Sequence, residues 1–487
     1  MPLPSGKMRI GFIPAHRGFF SPRLAASMRA ETIQALERLG VEVVVPTPEQ
    51  TQVGCVENRR EAELCAELFR QQRVQGIVVG AVNFGDEQSV AWTIRLAQLD
   101  VPILIFGCQE EGVLRPGMER RDAFCGLLSI GEALRQIGAR YSVGQRPICY
   151  PRQEAFAQDL DWFLRVCRVV QGIRHARYGQ VGTRPDAFWT CRFDEKRLQR
   201  LGPTTVVLDL SELIAGAEKI SDTDPMVERI GEALREYADP SGISGAALLR
   251  SAKLEAFLRR WVEENGLDGL AIQCWTSIQH NYGVCSCATM SRLGDEGIPC
   301  ACEADILGLL SMHACWLASG SPAALADWNN LHNEDEELAN LWHCGVFPRT
   351  FAKTPPRYGR HEIMVSSGGA PAELAQGTVE FVAKPGPVTL CRVNLEAEGP
   401  FKAVLAQGQI EDNPAQTFGA YGWCRIPGLL RLYRDILLRH FPHHVAMTQG
   451  RVGNVLWEAL GNYLQMQVFH PDQLTPGQYT PRWPFEG

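Results

Sequence analysis

No apolar run of about eighteen residues occurs anywhere in the chain, so an ordinary membrane-spanning helix is not expected. The opening segment MPLPSGKMRIGF lacks an apolar core of signal-peptide length, and the expectation is a cytoplasmic protein. Basic runs and stripes are absent, and the net charge is -7 with a pI near 5.9. Nucleic acid therefore has no electrostatic footprint here, and neither nucleic acid nor membrane is expected as a partner. No G-x-G-x-x-G follows the first strand-like run, which leaves a dinucleotide without support. There is no repeat at solenoid spacing and no low-complexity segment.

What the chain has in excess is cysteine, 16 in all. Without a secretory signal these read as reduced thiols. The tightest group is Cys274, Cys285, Cys287, Cys300 and Cys302. Two C-x-C pairs raise the idea of zinc, but the spacing is not C-x2-C and the surroundings are core-like. Buried small thiols are the simpler reading.

At 487 residues the chain exceeds one ordinary core, and about three domains are expected. Hydrophobic residues at 45% and charged residues at 21% fit a globular rather than a disordered chain. Apolar runs alternate with amphipathic helical stretches from Met8 onward: MRIGFIP, a helix over 24–39, VEVVVP, then GIVVGAV and VPILIFG. This pattern predicts a parallel sheet covered on both faces. Ligands bind such sheets at the carboxyl ends of strands. The loops there carry His16, Arg17, Asn83, Phe84, Asp86 and Gln109. ICYPRQ reads as a linker, and a second β/α unit follows, ending in the strand LDGLAIQCW. Past residue 352 the texture changes to short strands with Pro/Gly turns, which predicts antiparallel β. The segment from His470 to Gly487 reads as an extended Pro-rich tail.

Two carboxylates of the stretch 271–327, Glu303 and Asp327, each stand beside small residues and an apolar run. His443 and His444 lie far downstream in FPHHVAMTQG. Two carboxylates and an imidazole from separate segments suit a divalent cation. Glu303 also opens the apolar run ADILGLLSMHACWLASG, where a helix N-terminus alone would favour a carboxylate.

These residues resemble the L-fucose isomerase family, and more distantly L-arabinose isomerase. CEAD is similar to the family's T-E-x-D, and LADW, with its Asp 24 residues after the Glu, is similar to F-A-D. HHVAMTQGRV is similar to N-H-x5-G-x-V, with His444 as the family's histidine and His443 in place of Asn. TLCRVN resembles T-x-x-R-V-N, and AIQCW resembles the strand presenting a substrate-contacting Gln. Val82 stands where fucose isomerases carry a tryptophan.

The resemblance implies an α/β protein: two Rossmann-like parallel-sheet domains, 1–152 and 153–318, then an α+β domain, 319–487, with an antiparallel β-barrel-like core. It implies a metal-dependent aldose–ketose isomerase working through an enediol, with Mn2+ or another divalent metal. The implied metal ligands are Glu303, Asp327 and His444. His343, 16 residues past Asp327, is a further ligand or a supporting residue. Glu303 and Asp327 are the implied catalytic pair, either of which can be the base. Arg17, Asn83, Gln273, Trp275 and His443 are the implied sugar contacts. The expected partner is a sugar, whether an L-fucose-like sugar, a pentose or a sulfosugar such as sulfoquinovose. A sulfonate would want a cation, for which Arg17 and His443 are candidates. A homo-oligomer is expected, hexameric by resemblance. The alternatives are a non-catalytic sugar-binding protein on the same scaffold, or a metal enzyme that dehydrates a carbohydrate.

Overall fold

The structure is a computed structural model and describes residues 7–412 and 417–470. The Pro-rich tail, apart from His470, lies outside the described residues.

The first sheet contains β1 (Arg9–Ala15), β2 (Glu42–Val44), β3 (Gly76–Ala81), β4 (Ile103–Cys108) and β5 (Ser142–Cys149), in the order β2-β1-β3-β4-β5. All its pairings are parallel. β3 and β4 are buried along their whole length, as continuous apolar runs in a doubly covered sheet require. ICYPRQ is not simply a linker, because its Ile148 and Cys149 end β5. An edge strand tolerates the Pro147 and the polar residues that hid it.

The second sheet contains β6 (Arg177–Val181), β7 (Thr204–Leu208), β8 (Gly269–Ile272) and β9 (Cys300–Ala301), again all parallel, in the order β7-β6-β8-β9. The third sheet is built from β10 (Ala323–Leu331), β11 (Leu338–His343), β12 (Arg357–Arg360), β13 (Gln376–Val382), β14 (Gly386–Asn394), β15 (Lys402–Ile410), β16 (Ala420–Arg425), β17 (His444–Gln449) and β18 (Gln467–Phe469). Its core is antiparallel. The extra β15–β16 pairing closes the ring β16-β11-β10-β17-β14-β15 into a barrel. The architecture is α/β, with two parallel sheets and a large mixed C-terminal sheet.

The helix Ile306–Ser319 joins these parts. It is buried on all sides from Ile306 to Ala318. It packs on the helix Glu154–Arg174, on β6, β8 and β9, and on β10, β14 and β17 of the barrel. The residues just before it are therefore held by both the second sheet and the barrel.

A second junction is polar. Glu458, in the π-helical turn Trp457–Tyr463, accepts hydrogen bonds from Ser142 Oγ of β5 at 2.6 Å and from Asn462 Nδ2 at 2.9 Å. Burial pushes its carboxyl up to about 7, the two hydrogen bonds opposing only in part. The folded chain thus holds a proton here that the unfolded chain releases near 4.5. The stabilisation is complete below about 4.5 and is lost as pH rises through about 7, a difference of about 3 kcal/mol. Denaturation midpoints of Glu458→Gln against pH should lack this step, and an identical pH profile would contradict the assignment.

Candidate active site

Glu303 follows β9, Gln273 to Trp275 follow β8, and the loop 182–193 follows β6, so the second sheet presents all three at the carboxyl ends of its strands. The barrel supplies the rest. Asp327 of β10 is paired across the ladder with His444 of β17 and, on its other side, with Trp342, the neighbour of His343. Register therefore sets Asp327 beside His444 and places His343 one residue along from Asp327's other partner, at the end of β11. β10 is an interior strand of the sheet, not an edge.

The separations are short. His444 Nε2 lies 3.3 Å from Glu303 Oε2 and 3.6 Å from Asp327 Oδ1. His343 Nε2 lies 3.9 Å from Glu303 Oε2. Glu303 Oε1 is taken by Trp275 Nε1, which donates to it at 2.9 Å. Glu303 Oε2, Asp327 Oδ1 and His343 Nε2 are buried without a hydrogen-bond partner. Orphaned buried polar atoms are rare.

Glu303 does not cap the following helix. Asp305 does, accepting from Gly308 N at 2.8 Å. Glu303 sits in the preceding 3-10 turn at φ 54°, with Ala304 also at φ 54°. Left-handed backbone at non-glycine residues costs of order 1–3 kcal/mol each and persists only where the surroundings enforce it.

Asp305 was not singled out in the sequence, nor was Arg392. The Arg392 guanidinium pairs with both Asp305 oxygens, and His444 Nδ1 lies 2.8 Å from Asp305 Oδ2. A β-carbon at Gly308 would lie 2.5 Å from Asp305 Oδ2 and 2.9 Å from Arg392 Nη1, so only glycine leaves room for this pair. The signals were present in CEAD and TLCRVN, but their meaning depends on a contact across 87 residues.

The electrostatics favour positive charge at the centre. Burial alone would raise the Glu303 carboxyl, but the His444 and His343 imidazoles outweigh it and hold it below the usual range. Burial wins at Asp327, whose carboxyl is raised despite the same two imidazoles. Burial would raise Asp305 too, but Arg392 and His444 hold it far down. His444 is raised well above an ordinary histidine, its burial overcome by Asp305 and Glu303.

The other expected contacts fall in two places. Trp275 touches Glu303, and His443 Nε2 lies 3.8 Å from Asp327 Oδ1. Phe188 packs edge-on against both Trp275 and His443, and no sequence pattern marked it. Gln273 Oε1 accepts from Thr183 N at 2.9 Å, on the rim of the same strand ends. Arg17 and Asn83 are elsewhere, in the loops above the first sheet. Arg17 donates to Gly85 O, pairs with Glu87 and lies over the Phe84 ring, and Asn83 Nδ2 lies 2.6 Å from His16 Nδ1. Among the described residues, the hydrogen bonds of Arg17 and Asn83 all stay in those loops. The Cys274, Cys285, Cys287, Cys300 and Cys302 thiols are all buried, and all 16 cysteines are free.

Known proteins resemble this chain over most of its length. Residues 11–174 match the family model for the fucose/sulfoquinovose isomerase N-terminal domain, and residues 341–470 match that for the L-fucose isomerase C-terminal domain. The sulfoquinovose isomerase of Priestia aryabhattai is 24% identical over 480 residues, covering 94% of this chain and 98% of that protein. The sulfoquinovose isomerases of Alkalicoccus urumqiensis and of Clostridium sp. (strain MSTE9) are 26% and 27% identical, over 70% and 65% of this chain and 74% and 69% of theirs. A likeness to a periplasmic solute binding protein from Actinobacillus succinogenes 130z with bound D-allose has a TM-score of 0.16, at 10% identity over 60% of this chain and 83% of that one, too low to bear on the fold.

The fold and these matches define an aldose–ketose isomerase, which displaces the reading as a non-catalytic sugar-binding protein. The chain belongs to the fucose isomerase family.

Proposed function

We propose that this isomerase interconverts sulfoquinovose and its ketose, with a divalent metal, manganese by preference, held by Glu303, Asp327, His444 and His343. The observation that carries the metal is the set of buried, unpartnered atoms Glu303 Oε2, Asp327 Oδ1 and His343 Nε2 around His444 Nε2. Metal–ligand bonds of about 2.1 Å place neighbouring ligands roughly 3.0–3.5 Å apart, close to the separations found. The substrate rests on the names of the relatives.

The reaction moves a proton between C2 and C1. When bound, the metal supplies Lewis-acid stabilisation of the charge that develops on the two sugar oxygens. Asp327 is the better-placed base: its carboxyl is raised by burial, and with Oδ1 turned to the metal its second oxygen is left for the proton, whereas the second oxygen of Glu303 is tied to Trp275. Asp305 accepts from His444 Nδ1–H and so turns Nε2 toward the carboxylates, where a bound cation would take the place of its proton. Trp275 and Phe188 give the sugar an apolar wall and keep water from the reacting carbons.

His443 is not suited to bind the sulfonate as a cation. Burial and the neighbouring His444 push it down to about 4, so it is neutral at neutral pH. Arg17 is already paired with Glu87. A homo-oligomer in which a second copy completes the sulfonate pocket fits these facts. The apolar side chains exposed around the loops above the first sheet, Phe19 at 81% and Phe124 at 62%, support such a contact. Among the described residues no helix is long and apolar enough to cross a membrane. Sixteen free thiols fit a reducing compartment such as the cytoplasm.

The test is to strip the protein with a chelator, return Mn2+ under equilibrium dialysis, and assay sulfoquinovose beside L-fucose. The reading requires activity that tracks bound metal, and a kcat/KM for sulfoquinovose higher by roughly 10–100-fold, the worth of a charge-assisted contact. Full activity after metal removal would contradict the metal, and a preference for L-fucose would contradict the substrate.

A further inference from the structure

Behind the carboxylates and imidazoles lies a group of thiols that the isomerase chemistry does not use. Cys344 follows His343 at the end of β11; its Sγ lies 3.2 Å from His343 Nδ1, and its backbone N–H donates to the same nitrogen at 2.9 Å. Cys302, next to Glu303, completes a trio in which the two Sγ atoms and a His343 ring nitrogen all lie within 4.8 Å of one another. Cys287 Sγ is 3.9 Å from Cys344 Sγ on one flank. On the other, Cys274 Sγ is 3.6 Å from Glu303 Oε1. All four thiols are buried. They come from the turn after β8, the helix Cys287–Asp295, the turn after β9 and the end of β11, so the fold gathers them and no short motif does.

Metal–sulfur bonds near 2.3 Å and metal–imidazole bonds near 2.0 Å put tetrahedral ligands about 3.3–3.8 Å apart, the scale of these contacts. Ligand softness separates the two sets. Carboxylates with imidazole suit manganese-like ions, and thiolates select softer ones. The His343 ring stands between the sets, with Nε2 toward Glu303 and Nδ1 toward Cys344.

We propose that Cys302, Cys344 and His343 Nδ1 form a second metal position that takes a thiophilic divalent cation of the zinc and cadmium class. On binding, two S–H bonds break, the Cys344 N–H leaves His343 Nδ1, two sulfur–metal bonds and one nitrogen–metal bond form, two protons pass to water, and no electron is transferred. A neutral imidazole has one lone pair for a ligand, so His343 cannot serve both positions at once. A thiophilic ion therefore withdraws His343 from the oxygen-rich set and inhibits turnover. That inhibition rests on the proposed role of His343 in the isomerase metal site, whereas the binding does not.

The experiment is a titration of the full-length protein with Cd2+, in a Cys125→Ser background that removes the exposed thiol. It reads thiolate-to-metal charge-transfer absorption and proton release. The expected result is saturation near about one ion per chain with release of about two protons. The signal should be lost in Cys302→Ser and Cys344→Ser but kept in Cys424→Ser, a buried thiol of β16. It should also persist in Asp327→Asn, so that failure of the isomerase metal site and failure of the thiol site give different outcomes. Absence of a charge-transfer band, or a band unchanged in both serine variants, overturns the proposal. Should the serine variants not fold, cadmium NMR of the Cys125→Ser protein decides between a sulfur-shifted resonance, which supports the site, and an oxygen-nitrogen one, which overturns it.

Discussion

Glu303→Gln is expected to lower kcat by about 10^3–10^4-fold while leaving the fold intact. The amide keeps the shape and the oxygen that accepts from Trp275 Nε1. It removes the negative charge that faces His444 and His343, and with it the attraction for a cation. Stability should not fall by more than about 1 kcal/mol, because the left-handed backbone strain at residue 303 is the same in both proteins and the buried charge is gone. Asp327→Asn should behave alike in turnover. Circular dichroism and denaturant unfolding check the fold, and steady-state assay with isothermal titration of Mn2+ checks the rest. Near wild-type turnover in either variant would refute the assignment of the pair.

Asp305→Asn has the largest expected effect on the scaffold. The carboxylate lies between the Arg392 guanidinium and His444, and both Asp305 and Arg392 are almost fully buried. Asparagine retains the cap on Gly308 but leaves the guanidinium buried without a counter-charge. Breaking a buried pair on one side costs about 3–5 kcal/mol. His444 also loses the acceptor that fixes its tautomer, and metal affinity should fall by about 10–100-fold. Equilibrium unfolding and Mn2+ dialysis read the two effects separately. A stable variant with weakened metal binding would mean that Asp305 orients His444 but does not sustain the fold. A variant unchanged in both would remove Asp305 from the account.

The alternation of apolar strands and amphipathic helices was legible because the parallel strands are continuous apolar runs, as in GIVVGA and ILIFGC. β5 was not, since its polar edge residues and Pro147 carry no such signal. Nor was β9, a strand of two residues, although it delivers Glu303. Glu303, Asp327 and His444 stood out by spacing and resemblance, but their meeting depends on the β10–β17 register, which no local pattern encodes. The same holds for Asp305 with Arg392, and for Cys344, which joins thiols from other segments only through β11. Arg17 and Asn83 were placed rightly at strand ends, but of a different sheet from the one that presents Glu303.

The most direct test is solvent exchange. The metal-restored protein is incubated with sulfoquinovose in heavy water, and the C2 and C1 positions are followed by NMR. An enediol route with Asp327 as base requires deuterium to enter the sugar as ketose accumulates, and requires this to vanish without metal and in Asp327→Asn. Ketose forming with the original C2 hydrogen carried wholly to C1, and no deuterium gained on prolonged incubation, would indicate hydride transfer and contradict the account.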